Sequence, residues 1–65
     1  MNESSLSTFK AGDLVKVEGT YQEDMPASKV GVILNRWSAS IYEVQFVNGV
    51  IHRIWAGHLK LLTLT

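Results

Sequence analysis

His52 and His58 are the side chains of this chain best suited to general acid–base work or metal ligation, because imidazole titrates near neutral pH and coordinates through either ring nitrogen. Their setting argues against both uses. They stand six positions apart on different elements, there is no cysteine to complete a metal site, and neither has an Asp or Glu close by in sequence. A structural or solvent-facing role is therefore the expectation for both, with no metal and no cofactor. Ser4, Ser5, Ser7, Ser38 and Ser40 lie in leader or turn contexts where serine serves turn chemistry, so no nucleophile can be paired with a base. Asp13 follows Gly12 at the entrance to a strand, which fits an Asx-type turn. Glu23-Asp24 gives a long loop an acidic tip, expected to be solvated.

The aromatic residues are the stronger candidates. Tyr21, Trp37 and Trp55 fall near the ends of elements, where barrel loops gather, and Arg36 and Arg53 adjoin them in sequence or strand register. Trp, Tyr and Arg are the residues enriched at binding hot spots. Two readings are open for the tryptophans: they close the two ends of a barrel, or they share a surface. A shared surface could cage a cation, stack nucleic-acid bases, or form a self-association patch with Val32, Leu34 and Val47.

These residues need strands to position them. Tyr42 to Trp55 reads as two alternating apolar runs joined by Asn48-Gly49, the dipeptide that best tolerates a type I′ hairpin turn. Tyr42, Val44 and Phe46 point inward in the first run. In the second, Val50, His52 and Ile54 share one face and Ile51, Arg53 and Trp55 the other, and either could be the core face. A first strand is predicted at Leu14 to Glu18, with Val15 and Val17 on one side, and a second from Val30 to Trp37, where Val32, Ile33 and Leu34 put apolar groups on both faces. Gly31 inside it marks a bend or a close backbone approach. Gly19 to Lys29 is predicted to be a long surface loop, Ala56 to Leu59 a single 3-10 turn, and Leu59 to Leu62 a short closing strand. Residues 1–8 read as a flexible leader and 9–65 as one domain.

Composition limits the possibilities further. A chain of 65 residues buries only ~60% of the surface that it exposes when unfolded, and without cysteine it has no disulfide staple. With 46% apolar residues on so small a body, oligomerisation is the expected remaining support, as a dimer or tetramer. Six basic residues balance six acidic ones, which disfavours the broad basic footprint of non-specific nucleic-acid binders. The polar start and the lack of a long apolar run predict no secretory signal and no membrane span, hence a cytoplasmic setting.

Phe9-x-x-Gly12-Asp13-x-Val15-x-Val17, the Gly31-x-Ile33 element, Tyr42-x-Val44-x-Phe46 and Leu59 together resemble the SH3-like barrels. Similar chains include KOW-type modules, the small photosystem I barrel subunit and short SH3-barrel proteins of tailed phages of marine bacteria. The resemblance covers the chain after residue 8. It implies an all-β, five-stranded SH3-like barrel with a 3-10 turn before the last strand, and a phage-encoded origin is one implication. Its motif residues are core and turn residues, so it is specific for fold. The opening Phe-x-x-Gly-Asp-x-Val also resembles that of the plasmid-borne, trimethoprim-insensitive dihydrofolate reductases. Where those enzymes read their ligands with Val-Gln-Ile-Tyr, this chain has Ile51-His52-Arg53-Ile54, lacking both the Gln and the Tyr.

Two functional expectations follow. The first is a small non-enzymatic interaction or assembly module that self-associates and binds a protein partner. The alternative is a KOW-like nucleic-acid binder acting through Lys16, Arg36, Arg53 and Lys60 beside the tryptophans, which requires those four on one face. An oligomeric pore-type reductase is the third and least supported.

Overall fold

A computed structural model describes residues 8–62. Most of the predicted leader, residues 1–7, and the last three residues lie outside that range. The elements are β1 (Leu14–Val17), β2 (Val30–Arg36), β3 (Ile41–Phe46), β4 (Ile51–Trp55), a 3-10 turn (Ala56–His58) and β5 (Leu59–Leu61). The strands form one antiparallel sheet in the order β4-β3-β2-β1-β5, so the all-β, five-stranded expectation and the late 3-10 turn are both found. Among the described residues no ladder joins β4 to β5. The 3-10 turn links them instead, fixed where Ala56 N–H donates to the Ser40 carbonyl (2.7 Å) and Glu18 N–H to that of His58 (2.7 Å). No described helix is long and apolar enough to cross a membrane.

Alternation decides which face is core. Val15 and Val17 from β1, Ile33 from β2, Tyr42, Val44 and Phe46 from β3, and Ile54 from β4 are all buried on one side, as period-two strands require. Burying such side chains contributes about 1.5–3 kcal/mol each. Met25 covers this layer from the long loop, and Phe9 sets its ring edge-on to Tyr42 at 5.3 Å. No polar residue is among the buried ones described.

The structure corrects one expectation, the turn type, and adds detail to three others. First, β2 runs to Arg36, Trp37 N–H still pairs with the Ile41 carbonyl opposite it (2.8 Å), and Ser38, whose N–H shares that acceptor (3.1 Å), begins the turn into β3. Second, β2 carries a bulge: Ile33 pairs with Val44 but Asn35 with Glu43, so Leu34 is an extra residue. Without it Asn35 would share the inward face of Ile33. With it, the polar side chain is placed outside.

Third, the hairpin turn is not type I′. Gly49 has φ +89° but Asn48 does not have positive φ. Gly49 N–H donates to the Phe46 carbonyl and Phe46 N–H to that of Val50, both at 2.8 Å, which makes Val47-Asn48-Gly49 a three-residue loop with glycine at its left-handed position. Fourth, the loop before β2 is not merely a surface excursion. Asp24 is held by Asn48, whose Nδ2 donates to its carbonyl (3.0 Å), and by His52, whose Nε2 lies 2.7 Å from its Oδ1. The acidic tip stays exposed, as expected, and is also tied to the hairpin.

Candidate interaction surface

The hairpin loop settles the faces of β4. Counting back from the Phe46–Val50 closure, Gln45 stands opposite Ile51, Glu43 opposite Arg53 and Ile41 opposite Trp55. Since Tyr42, Val44 and Phe46 are inward, these pairs lie on the outer face. The same face includes Leu14 opposite Val32 and Val32 opposite Gln45. A cross-strand row Leu14–Val32–Gln45–Ile51 therefore runs over four strands, apolar at three of its positions, with the bulged Leu34 beside it. All four aliphatic side chains are exposed. Val47, on the hairpin loop, is the most exposed large apolar residue among those described, at 76%.

One step along the sheet lies a cation–aromatic platform. The Arg53 guanidinium carbon sits 4.6 Å above the Trp37 ring, and Arg53 Nε donates to Glu43 Oε2 at 3.2 Å. Glu43 Oε1 in turn accepts from Asn35 Nδ2, the donor that the β2 bulge delivers. The arginine is thereby oriented from its face and from its inner edge. Trp37 and Trp55 stay 52% and 54% exposed, so neither is a buried plug at an end of the sheet. Trp55 leans onto the 3-10 turn, its ring against Gly57, where a Cβ would collide with it, and edge-on to His58 at 5.2 Å.

The five sequence-derived binding candidates are thus divided. Trp37, Arg53 and Trp55 share the outer face. Arg36 stands opposite Tyr42, hence on the other face, and is exposed at the end of β2. Tyr21 belongs to the long loop, where its hydroxyl donates to the Glu23 carbonyl (3.3 Å) and Lys29 Nζ lies 5.5 Å from its ring centre. Of the four basic residues, Lys16 and Lys60 are register partners on β1 and β5, Arg53 is on the far edge strand in an ion pair, and Arg36 is on the opposite face. They form no single patch.

Both histidines have structural partners. His58 Nδ1 lies 2.9 Å from the Glu18 carbonyl, tying the 3-10 turn to the end of β1. His52, with its side chain 22% exposed, ties the long loop to β4 through Asp24. Replacing His52 by alanine is expected to cost about 1 kcal/mol and to speed proteolytic cleavage in the 20–29 loop. Unchanged cleavage kinetics would show that Met25 and the Asn48–Asp24 hydrogen bond hold it without His52.

Sequence reasoning missed Glu43 and Asn35 as the holders of Arg53, and Leu14 and Ile51 as extensions of the apolar face. The signal for them was parity, available once the hairpin register is known. Among the described residues no group of three or more metal-ligating side chains is assembled, and no pocket is present. No protein-family model matches the chain, and no curated protein or solved structure is significantly similar to it.

Proposed function

We propose that this protein is a small non-enzymatic interaction and assembly module that self-associates and uses its outer sheet face to engage a protein partner. The observation that carries this is the exposed row Leu14–Val32–Gln45–Ile51, apolar at three of its four strands, with Leu34 beside it and the Arg53–Trp37 platform flanking it. Isolated exposed aliphatic residues need no explanation, but a contiguous set rimmed by polar groups is the usual mark of a contact surface. The strand order and the 3-10 corner support the SH3-like reading of the fold. The dispersal of Lys16, Lys60, Arg53 and Arg36 favours a protein partner over nucleic acid.

Area makes self-association practicable. A standard interface takes about 800 Å² from each partner, roughly one fifth of the 4101 Å² that this chain exposes. The test is light scattering behind size exclusion over a dilution series. The mass is expected to rise from monomer toward dimer or tetramer with concentration. A monomer at every concentration would remove self-association.

A further inference from the structure

The self-association proposed above leaves open which part of the molecule does the joining, and the hydrogen-bond pattern of β4 addresses this. In an antiparallel pair, alternate residues turn their N–H and C=O groups toward the neighbouring strand and away from it. Phe46 N–H donates to Val50 at one end of the β3–β4 pair, and Ala56 N–H to Ser40 just beyond the other. The residues of β4 bonded to β3 are therefore the even-numbered ones, His52 and Ile54. The N–H and C=O groups of Ile51, Arg53 and Trp55 face outward, along an edge with no neighbouring strand among those described.

The two free edges are not alike. β5 has three residues, Leu59–Leu61, and its Lys60 stands in register with Lys16, like charges side by side at the edge. Short length and lysine are two of the devices that protect an edge from pairing. β4 has five residues, no proline and no bulge, and its single charge is already engaged with Glu43 and Trp37.

We infer that two copies of this chain join edge to edge through β4, antiparallel about a two-fold axis at Arg53. This rests on the self-association proposed above and makes it specific. In that register Arg53 pairs with Arg53 of the second copy, and Ile51 with Trp55 of the second copy on each side. Each pair brings outward N–H and C=O groups of both strands together, so all three outward residues of β4 are satisfied by an identical edge. Such a contact is isologous and closes at two copies. The two arginines meet with a carboxylate already on each, and the Ile51–Trp55 pairs carry the apolar row from one sheet into the next. The dimer then presents one widened outer face to a protein partner.

Amide hydrogen exchange, read residue by residue by NMR at a dilute and a concentrated sample of known mass, tests this directly. As the mass doubles, the Ile51, Arg53 and Trp55 amides are expected to slow at least tenfold, while Leu59 and Leu61, the outward groups of β5, stay unchanged. A doubling of mass without protection on β4 would overturn the edge contact and leave self-association through the outer face standing. Protection on both edges with mass beyond a dimer would mean β4 joined head to tail to β5 of the next copy, which also overturns it. A monomer throughout would remove this inference together with self-association.

A backbone N-methyl group at Arg53, introduced by chemical synthesis, supplies a second readout, because that N–H points away from β3 and has no partner among the described residues. Two hydrogen bonds are lost at the two-fold axis, each worth about tenfold, so the dissociation constant is expected to rise about a hundredfold with the monomer's circular dichroism intact. An unchanged dissociation constant would overturn the inference.

Discussion

Replacing Tyr42 by alanine is expected to leave most of the chain unfolded in water at 25 °C. Tyr42 is 1% exposed, the largest of the fully buried side chains described, and it lies in the inner layer on β3, the first strand of the hairpin, with the ring of Phe9 edge-on to it. Its hydroxyl accepts the Phe9 N–H at 3.3 Å, so it also holds the segment before β1 onto the sheet. Truncating a buried aromatic residue costs about 3–5 kcal/mol, whereas a chain of 65 residues has roughly 3–10 kcal/mol in total. Tyr42→Phe separates the two contributions. It keeps the ring and forfeits only the acceptor, an expected cost of about 1 kcal/mol. Urea denaturation followed by tryptophan fluorescence measures both variants. A Tyr42→Ala protein with a cooperative transition near the wild-type midpoint would show that Phe9 and Met25 can collapse into the space, and that the core is less specific than its packing implies.

Tyr42 was legible because its neighbours repeat: Tyr42, Val44 and Phe46 alternate with Glu43 and Gln45, and no other face could be buried. β4 offers no such contrast. Ile51 and Trp55 are as apolar as Val50 and Ile54, so composition alone leaves both assignments open, and the answer came from the number of residues in the hairpin loop. Asn48-Gly49 correctly marked a reversal, but a local dipeptide does not say whether two or three residues span it. That choice depends on the twist and register of the strands on either side. The resulting one-residue difference is what sends Arg53 and Trp55 outward.

Contacts between distant segments had no local signature. His52 finds Asp24 from 28 positions away, and the clasp exists because Met25, two turns of loop and the hairpin converge on the same end of the core. The candidate surface is intermediate between these cases. Trp37, Trp55 and Arg53 stood out by residue type, but the carboxylate that orients the arginine became visible only when register placed Glu43 between Asn35 and Arg53.

Gly31→Ala is expected to destabilise the fold by about 3 kcal/mol, at the upper end of what overpacking usually costs. The reason is steric. A Cβ at Gly31 would stand 2.7 Å from the Gln45 carbonyl oxygen and 2.7 Å from Val44 Cγ1, and the first of these is backbone that β3 uses in the ladder. β3 is held between β2 and β4, so it has no free direction in which to retreat. Gly49→Ala is the appropriate comparison, because that position has open space around it and φ +89°. Its cost is torsional alone, about 1–2 kcal/mol. Urea midpoints therefore distinguish a tight β2–β3 contact from generic glycine sensitivity: Gly31→Ala must fall below Gly49→Ala. If the order reverses, the two strands can separate enough to admit a methyl group. The outer row through Val32 and Gln45 depends on that same contact for its continuity, so the reversal would weaken the case that the face is rigid enough to bind.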